Sequence, residues 1–392
     1  MLRRARIKNY KSLAAVDVEL ERLTVLVGPN GAGKSNVIDA LRFVADSLNG
    51  SVSLALQDRG GIQAVRRRSR GHPTHFGLHL WLEIEDGVPA EFAFEVAART
   101  EGSFAIQREE CRIGPLVGRE GASYEVQSGQ FIREVPGIRP RIEPDRLALS
   151  IVSAVPEYRP VYEALRSMRF YSLQPERIRA LQDPDVGEVL MRDGRNAASV
   201  LREIISRGEG NGTYERICRL LEKIVPGTTA VHPATIGSKQ TLQFSQEVND
   251  ANPWPFEALN MSDGTLRALG MLLAIYQVPR PWFLAFEEPE VTIHPGALDV
   301  IVDVLHDATS QSQVVVTTHS PDMLDSKRVE DRQIRLVSCA QGQTSVMPLG
   351  ELTRRAIRDR LYSAGELLRM DELAGEPTQT DAAADAFNLF KE

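Results

Sequence analysis

The sequence predicts an α/β fold in which a parallel-stranded core is joined to an antiparallel β-lobe and a compact helical subdomain. Short apolar runs at residues 23–27, 282–286 and 314–316 each end abruptly in polar residues, as strands buried on both faces of a parallel sheet do. Between residues 76 and 96 the pattern changes. Phe76, Leu78, Leu80, Leu82 and Ile84 alternate with Gly77, His79, Trp81, Glu83 and Glu85, and Phe92, Phe94 and Val96 resume the alternation after Asp86-Gly87-Val88-Pro89. A period of two marks half-buried strands joined by a turn. A third pattern, Tyr214, Ile217, Leu220, Leu221, Ile224 and Val225, recurs at helical spacing and stops at Pro226-Gly227.

Taken in chain order, the strand at 23–27 runs into Gly28-Pro29-Asn30-Gly31-Ala32-Gly33-Lys34-Ser35, and Val37, Ile38, Leu41, Val44, Ala45 and Leu48 then follow at helical spacing. Glycines let such a loop turn its N–H groups toward phosphate oxygens, the helix N-terminus adds partial positive charge, and Lys34 adds a full one. Asn30, Gly31, Ala32, Gly33, Lys34 and Ser35 are the nucleotide-binding candidates, with the Ser35 hydroxyl placed for Mg²⁺. Gly60-Gly61 ends this segment, and the basic run Arg66-Arg67-Arg68-Ser69-Arg70-Gly71-His72 follows. Arg3, Arg4, Arg6, Lys8 and Lys11 form a second basic group; runs of this kind are solvated loops more often than DNA contacts. Further alternation around residues 124–135 extends the β-lobe. Residues 157–235 read as mostly helical, with a shorter stripe at Ala198, Leu201, Ile204 and Ile205. No heptad is sustained there, so a compact subdomain is expected rather than a coiled-coil arm.

Ser262-Asp263-Gly264-Thr265 precedes the apolar helix of Ala268, Leu269, Met271, Leu272, Leu273 and Ile275. A Ser and a Gly at a helix start make either a second anion site, through Ser262 and Gly264, or a capped helix and nothing more. The strand at 282–286 ends in Glu287-Glu288-Pro289-Glu290. Glu287 is placed to reach a metal ion through water and Glu288 to polarise an attacking water as general base. The strand at 313–318 stops at His319-Ser320-Pro321. Parallel strands present ligand groups at their carboxyl ends, which puts His319 near a γ-phosphate. Alone it would read as an ordinary satisfied histidine.

Together these segments resemble the ABC-type ATPase heads. Walker A, the Ser-Asp-Gly signature, the hydrophobic strand ending Glu-Glu-Pro-Glu with Ile293-His294-Pro295 after it, and Thr-His-Ser-Pro follow one another as in that superfamily. Within it the chain resembles the RecF and SMC-like branch, and most of all the stand-alone relatives of the OLD (overcoming lysogenization defect) ATPases. Ile7-Lys8-Asn9-Tyr10-Lys11-Ser12-Leu13 resembles that branch's opening edge strand, and Lys34-Ser35-Asn36 also matches, adding Asn36 to the nucleotide-binding set. The resemblance implies ATP and Mg²⁺ as cofactors and a head-to-tail dimer in which the Ser262–Gly264 stretch docks on the other subunit's γ-phosphate. Gln174 could be the glutamine that couples the lobe to Mg²⁺, or a plain loop glutamine. Three departures stand out. Glu287 occupies the usual Asp position, Asp263 replaces a Gly and brings a like charge toward the phosphate, and His294 replaces the D-loop Asp.

The implied organisation is an ATPase core over residues 1–60 and 236–350, the β-lobe with its basic loop over 61–156, the helical subdomain over 157–235, and a tail over 351–392 whose end is expected to be flexible. The chain has 392 residues, 42% of them hydrophobic, with 46 basic against 53 acidic side chains. A net charge of −7 neither requires nor excludes DNA. No run approaches the ~18–20 apolar residues that span a bilayer, and no signal peptide opens the sequence, so no membrane partner and a cytoplasmic location are expected. Cys111, Cys218 and Cys339 are isolated, which argues against zinc and disulfide frameworks. OLD proteins continue into a Toprim nuclease domain, but only about 40 residues follow the last ATPase strand, fewer than such a domain needs, and Asp381-Ala382-Ala383-Ala384-Asp385 lacks the required spacing. A separate effector or nuclease partner is therefore expected, in DNA processing or anti-phage defence. The other reading is a nucleotide-gated scaffold with little turnover. A transporter subunit is disfavoured by the signature and the N-terminal strand.

Overall fold

The computed structural model describes residues 1–68, 74–115, 120–133, 135, 141–208, 212–247, 253–376 and 387–390. Residues 69–72 of the basic run and the Asp381–Asp385 stretch lie outside them. Residues 1–168 form β1 (Leu2–Tyr10), β2 (Leu13–Glu19), β3 (Leu23–Val27), α1 (Lys34–Asn49), α2 (Val52–Gln57), α3 (Ile62–Val65), β4 (His75–Glu83), β5 (Pro89–Ala98), β6 (Phe104–Ile113), β7 (Ala122–Gln127), β8 (Gln130–Arg133), α4 (Leu149–Val152) and α5 (Arg159–Arg166). Then come β9 (Arg169–Tyr171), α6 (Pro175–Arg179), α7 (Ala197–Gly208), α8 (Thr213–Ile224), β10 (Thr228–Ile236), β11 (Lys239–Gln246), β12 (Trp254–Glu257), α9 (Asp263–Tyr276), β13 (Phe283–Glu287), α10 (Pro295–Ala308), β14 (Gln313–Thr318) and α11 (Pro321–Leu324). The chain continues through β15 (Ile334–Ala340), β16 (Gln343–Pro348), α12 (Glu351–Arg358) and α13 (Ala364–Arg369).

The chain divides into two units, one comprising Met1–Met168, Arg332–Arg354 and Ala374–Glu392 and the other Arg169–Asp331 and Arg355–Leu373. In the first unit the strand order is β8-β7-β6-β5-β4-β1-β2-β16-β15-β3. Pairing from β8 to β2 is antiparallel, whereas β16 joins β2 and β15 joins β3 in parallel. The core beneath α1 is aromatic: Phe43 meets Tyr10, Phe76 and Phe94 with ring centroids 6.0, 5.4 and 6.2 Å away. α1 also buries Asp39, which accepts from the Tyr10 hydroxyl (2.8 Å), Lys11 (2.6 Å) and Arg59 (3.1 Å). Burial alone would raise its pKa, but the Arg59 guanidinium, the Lys11 bond and Arg42 hold it down to about 2.

In the second unit β13 lies between β9 and β14, parallel to both, and β10, β11 and β12 form a separate antiparallel sheet. α8 carries the amphipathic stripe expected from its sequence, with Ile217, Cys218, Leu221 and Ile224 buried. The predominantly helical reading of 157–235 missed β9 and β10. A strand as short as β9 has too few residues to show a period.

The β-lobe departs from its expected alternation on β4. Gly77 and His79 of β4, assigned to the polar face, are buried like their apolar neighbours. The cause is the far end of the chain, which was expected to be flexible: Leu389 is 3% exposed, and its carbonyl oxygen lies 2.5 Å from His79 Nδ1. Among the described residues no helix is long and apolar enough to cross a membrane.

Candidate nucleotide site

In the first unit, β3 delivers the chain into the glycine loop and α1 begins at Lys34. Gly33 is the N-cap, at φ 103°, and no side chain caps the helix. A Cβ at Gly33 would lie 2.1 Å from the Thr344 hydroxyl oxygen, so the position requires glycine for both conformation and space. Gly31 is also left-handed, and nothing stands within 4 Å of where its Cβ would be. The loop therefore forms an open cradle at the start of a 16-residue helix, where partial positive charge collects. Lys34 is 5% exposed. Its Nζ donates to the carbonyls of Gly28 (2.7 Å) and Pro29 (3.1 Å), across the loop it closes. This donor set suits polyphosphate, with an ammonium and backbone N–H groups and no carboxylate among the loop residues.

A relay of short polar groups fixes the loop. Asn36 Nδ2 donates to Ser12 Oγ (2.7 Å), the Ser12 and Thr344 hydroxyls are 2.7 Å apart, and Thr344 Oγ1 donates to the Ala32 carbonyl (2.8 Å). The Asn36 amide is thus engaged in holding the loop. Thr344 was not foreseen. It lies 310 positions from Lys34 on β16 and carries no motif, and only the pairing of β16 with β2 brings it to Ser12.

In the second unit, Glu287 closes β13 opposite Thr317 of β14. Three carboxylates within four residues meet three environments. Glu287 pairs with Arg192 at 2.8 Å, a partner with no sequence signal. Glu288 sits at φ 45°, in the left-handed region that non-glycine residues rarely enter. Its N–H is held there by the carbonyl and hydroxyl oxygens of Thr317, both at 3.1 Å. Its side chain is partly exposed and lies 3.4 Å from His319 Nδ1. Glu290 is 8% exposed and accepts from Thr318 Oγ1 at 2.5 Å; burial raises its pKa, and the Thr318 bond only partly offsets this. The structure thus brings together Glu288 and His319, the candidate base and the candidate histidine read from the sequence. Gln174, exposed and just before α6, leaves β9 on the same strand-end edge as Glu287. Its side chain does not cap α6.

The signature segment also lies in this unit. Ser262 caps α9 by accepting from Thr265 N at 3.2 Å. A Cβ on Gly264 would meet the Thr292 carbonyl at 2.4 Å, so glycine lets that backbone pass across the helix start. Arg179 pairs with Asp263 at 2.5 Å, offsetting the like charge that the sequence placed here. His294 caps α10 by accepting from Gly296 N at 3.1 Å, a role open to the Asp it replaces. A cavity of about 410 Å³ is lined by Ser262, Gly264, Thr292, His294 and Lys223 among others, so two helix starts and an ammonium group face one space.

Among the described residues no group of three or more His, Cys, Asp or Glu side chains could hold a metal ion. Mg²⁺ suits such a donor-poor site, because it keeps several waters and binds through phosphate oxygens plus one or two protein groups. Ser35, exposed at the start of α1 in the first unit, and Glu287, at the end of β13 in the second, each carry an oxygen donor of that kind.

Comparison with known proteins agrees with this geometry. A family model described as "AAA domain, putative AbiEii toxin, Type IV TA system" matches residues 23–102 and 155–325. The OLD nuclease of Thermus scotoductus is 25% identical over 373 residues, 86% of this chain and 62% of the relative. Chromosome partition protein Smc of Desulfitobacterium hafniense is 31% identical over 195 residues, 44% of this chain and 15% of Smc. The chain spans less than two thirds of the length of either relative. An Smc head bound to the C-winged helix domain of ScpA superposes with a TM-score of 0.57 at 14% identity, covering 91% of this chain and 99% of that one. An Smc head with an extended coiled coil from Pyrococcus furiosus, bound to the C-terminal domain of ScpA, gives 0.54 at 14% identity, covering 92% and 99%. At that identity the likeness shows the fold, that of SMC-type and ABC-type heads, and no long coiled coil is present among the described residues.

Proposed function

The chain belongs to this AAA-domain family of P-loop ATPases, and from that premise we propose that it binds and hydrolyses Mg-ATP and self-associates around the nucleotide, coupling the cycle to DNA processing or anti-phage defence through a separate effector protein. The observation that carries the reading is the Glu288–His319 pair, 3.4 Å apart, with Glu288 held at φ 45°. A non-glycine residue in that conformation costs on the order of 1–3 kcal/mol, and such strain is kept where it aims a functional group.

In the proposed cycle Lys34 and the loop N–H groups take the phosphates; Ser35 would ligate Mg²⁺ and Glu287 would reach it through water. Mg²⁺ when bound neutralises charge on the phosphate oxygens and acts as a Lewis acid. Glu288 orients water and accepts its proton as the water oxygen attacks the γ-phosphorus and the β–γ bridging oxygen departs with ADP. His319, within reach of Glu288, responds to the presence of the γ-phosphate. Ser262 and Gly264 receive the γ-phosphate of a second copy, so ATP serves as interfacial ligand and its loss removes charge-assisted contacts. The ScpA domains on the solved Smc heads support the expectation of protein partners, and the nuclease relative supports DNA as a target.

A second reading, a nucleotide-gated scaffold with slow turnover, draws on the Glu287–Arg192 ion pair, because a metal-facing carboxylate must give up that partner before it can serve. ATP turnover measured with and without duplex DNA, alongside light scattering, separates the two. The first reading expects ATP-dependent self-association and stimulation by DNA. Self-association with slow turnover that DNA does not change would favour the scaffold, and absence of ATP binding would overturn both.

A further inference from the structure

Residues 387–390, Phe-Asn-Leu-Phe, lie on a face of the β-lobe shaped to receive them. Leu389 fills the space left by Gly77, where a Cβ would stand 2.6 Å from its Cδ1. The Arg108 guanidinium lies 4.1 Å from the centre of the Phe390 ring and Arg6 5.9 Å from that of Phe387. The Leu389 carbonyl oxygen sits 2.5 Å from His79 Nδ1, and the Asn388 side chain folds back to accept from Phe390 N at 2.9 Å. Behind the contact His79 stacks on Trp81 at 3.6 Å, and Arg4 and Arg6 lie over Trp81, both paired with the one carboxylate of Asp17. The residues leading to the segment, 377–386, are Pro-Thr-Gln-Thr-Asp-Ala-Ala-Ala-Asp-Ala, a sequence with no large apolar side chain. The anchoring chemistry is therefore concentrated in Phe387, Leu389 and Phe390.

His79 links this contact to Glu91. Its Nδ1 faces a carbonyl oxygen and its Nε2 faces Glu91 at 3.1 Å. Both partners can only accept while Glu91 is ionised, and a neutral imidazole has one N–H to offer. The His79 bond also holds the Glu91 carboxyl below its usual range. The other charged groups facing this place are Glu110, Arg112 and Arg108 of β6, with Arg108 paired to Glu110 and Glu125 and Arg112 paired to Glu110.

We propose that this face of β4, β5 and β6 is a peptide-binding site for an aromatic-x-Leu-aromatic segment, that its ligand is the chain's own residues 387–390, and that His79 holds the docked segment through the Leu389 carbonyl. The segment is a tethered ligand, held by high effective concentration and replaceable by the same sequence supplied free.

The test uses a fluorescent peptide spanning residues 385–392 and the full chain carrying Leu389→Asn, which spoils the resident ligand and leaves the face intact. Anisotropy should show the peptide binding this variant at least tenfold more tightly than wild type, whose face is already filled. His79→Ala in the same background should weaken that binding about fivefold, because it removes the contact to the Leu389 carbonyl. Phe387→Ala with Phe390→Ala releases the segment by a second route and should give the same result if Leu389→Asn perturbs folding. A peptide that binds neither released variant better than wild type overturns the site, and binding unchanged by His79→Ala overturns the role of His79.

Discussion

Two helix starts carry the phosphate chemistry read from this sequence, and they are built in opposite ways. α1 begins at a left-handed glycine with no side-chain cap, its loop held from behind by the Asn36–Ser12–Thr344 relay. α9 begins at Ser262, whose hydroxyl already satisfies Thr265 N, beside an acidic residue neutralised by Arg179. A helix start left to the backbone is a site in its own right, whereas a self-capped one is stable alone and contributes to binding only when a ligand is brought to it. The difference fits a division of labour in which α1 takes ATP first and α9 meets it second.

The largest effect expected is at α1. Lys34→Ala should abolish ATP binding by calorimetry, because it removes the loop's one full positive charge, while Ser262→Ala should leave binding by the single chain unchanged. If both variants bind ATP like wild type, the contrast between the two helix starts fails together with the phosphate-loop assignment. Glu288→Gln comes next. Retaining shape and losing the base, it should slow hydrolysis by about 10²–10⁴-fold and hold the associated state in Mg-ATP, as read by light scattering. Normal turnover in this variant would remove Glu288 from the chemistry.

A third helix start sharpens the comparison. α4 is capped from outside by Glu109 of β6, which accepts from Ala148 N (2.6 Å), Leu149 N (2.7 Å) and the Tyr124 hydroxyl (2.7 Å). Burial raises its pKa to about 7 despite these three donors. Between its ordinary value of 4.5 and about 7 the folded chain binds more protons than the unfolded one, so stability falls as pH rises through that window and levels above it. The contribution is on the order of 3 kcal/mol. Urea melts should therefore show the advantage of wild type over Glu109→Gln shrinking from pH 5 to pH 8. A constant difference would mean that Glu109 titrates normally.

Smaller effects follow for the groups around the first two starts. Thr344→Val breaks the relay, and at about 1 kcal/mol per hydrogen bond should weaken ATP binding roughly fivefold. Ser262→Ala removes the α9 cap and should cost about 1 kcal/mol of stability in denaturant melts. A Thr344→Val variant with undiminished affinity would show that the glycine loop needs no support from β16.

The sequence alone determined the pieces whose chemistry is local. Gly28 to Ser35, Glu287 with Glu288, and His319 each announce themselves because a strand end, a turn and a charged side chain are adjacent in the chain. The alternation in β4 and β5 and the stripe of α8 were legible because a regular element repeats its own period. Tertiary structure decided what depends on residues far apart. The support of the loop by Thr344, the pairing of Glu287 with Arg192, the neutralisation of Asp263 by Arg179 and the burial of His79 beneath Leu389 join positions tens to hundreds of residues apart, and no local pattern encodes which strands pair. Glu287, Glu288 and Glu290 show the reason most directly. One run of nearly identical side chains holds an ion-paired, a half-exposed and a buried carboxyl group, because charge and solvent access belong to the surroundings and not to the residue.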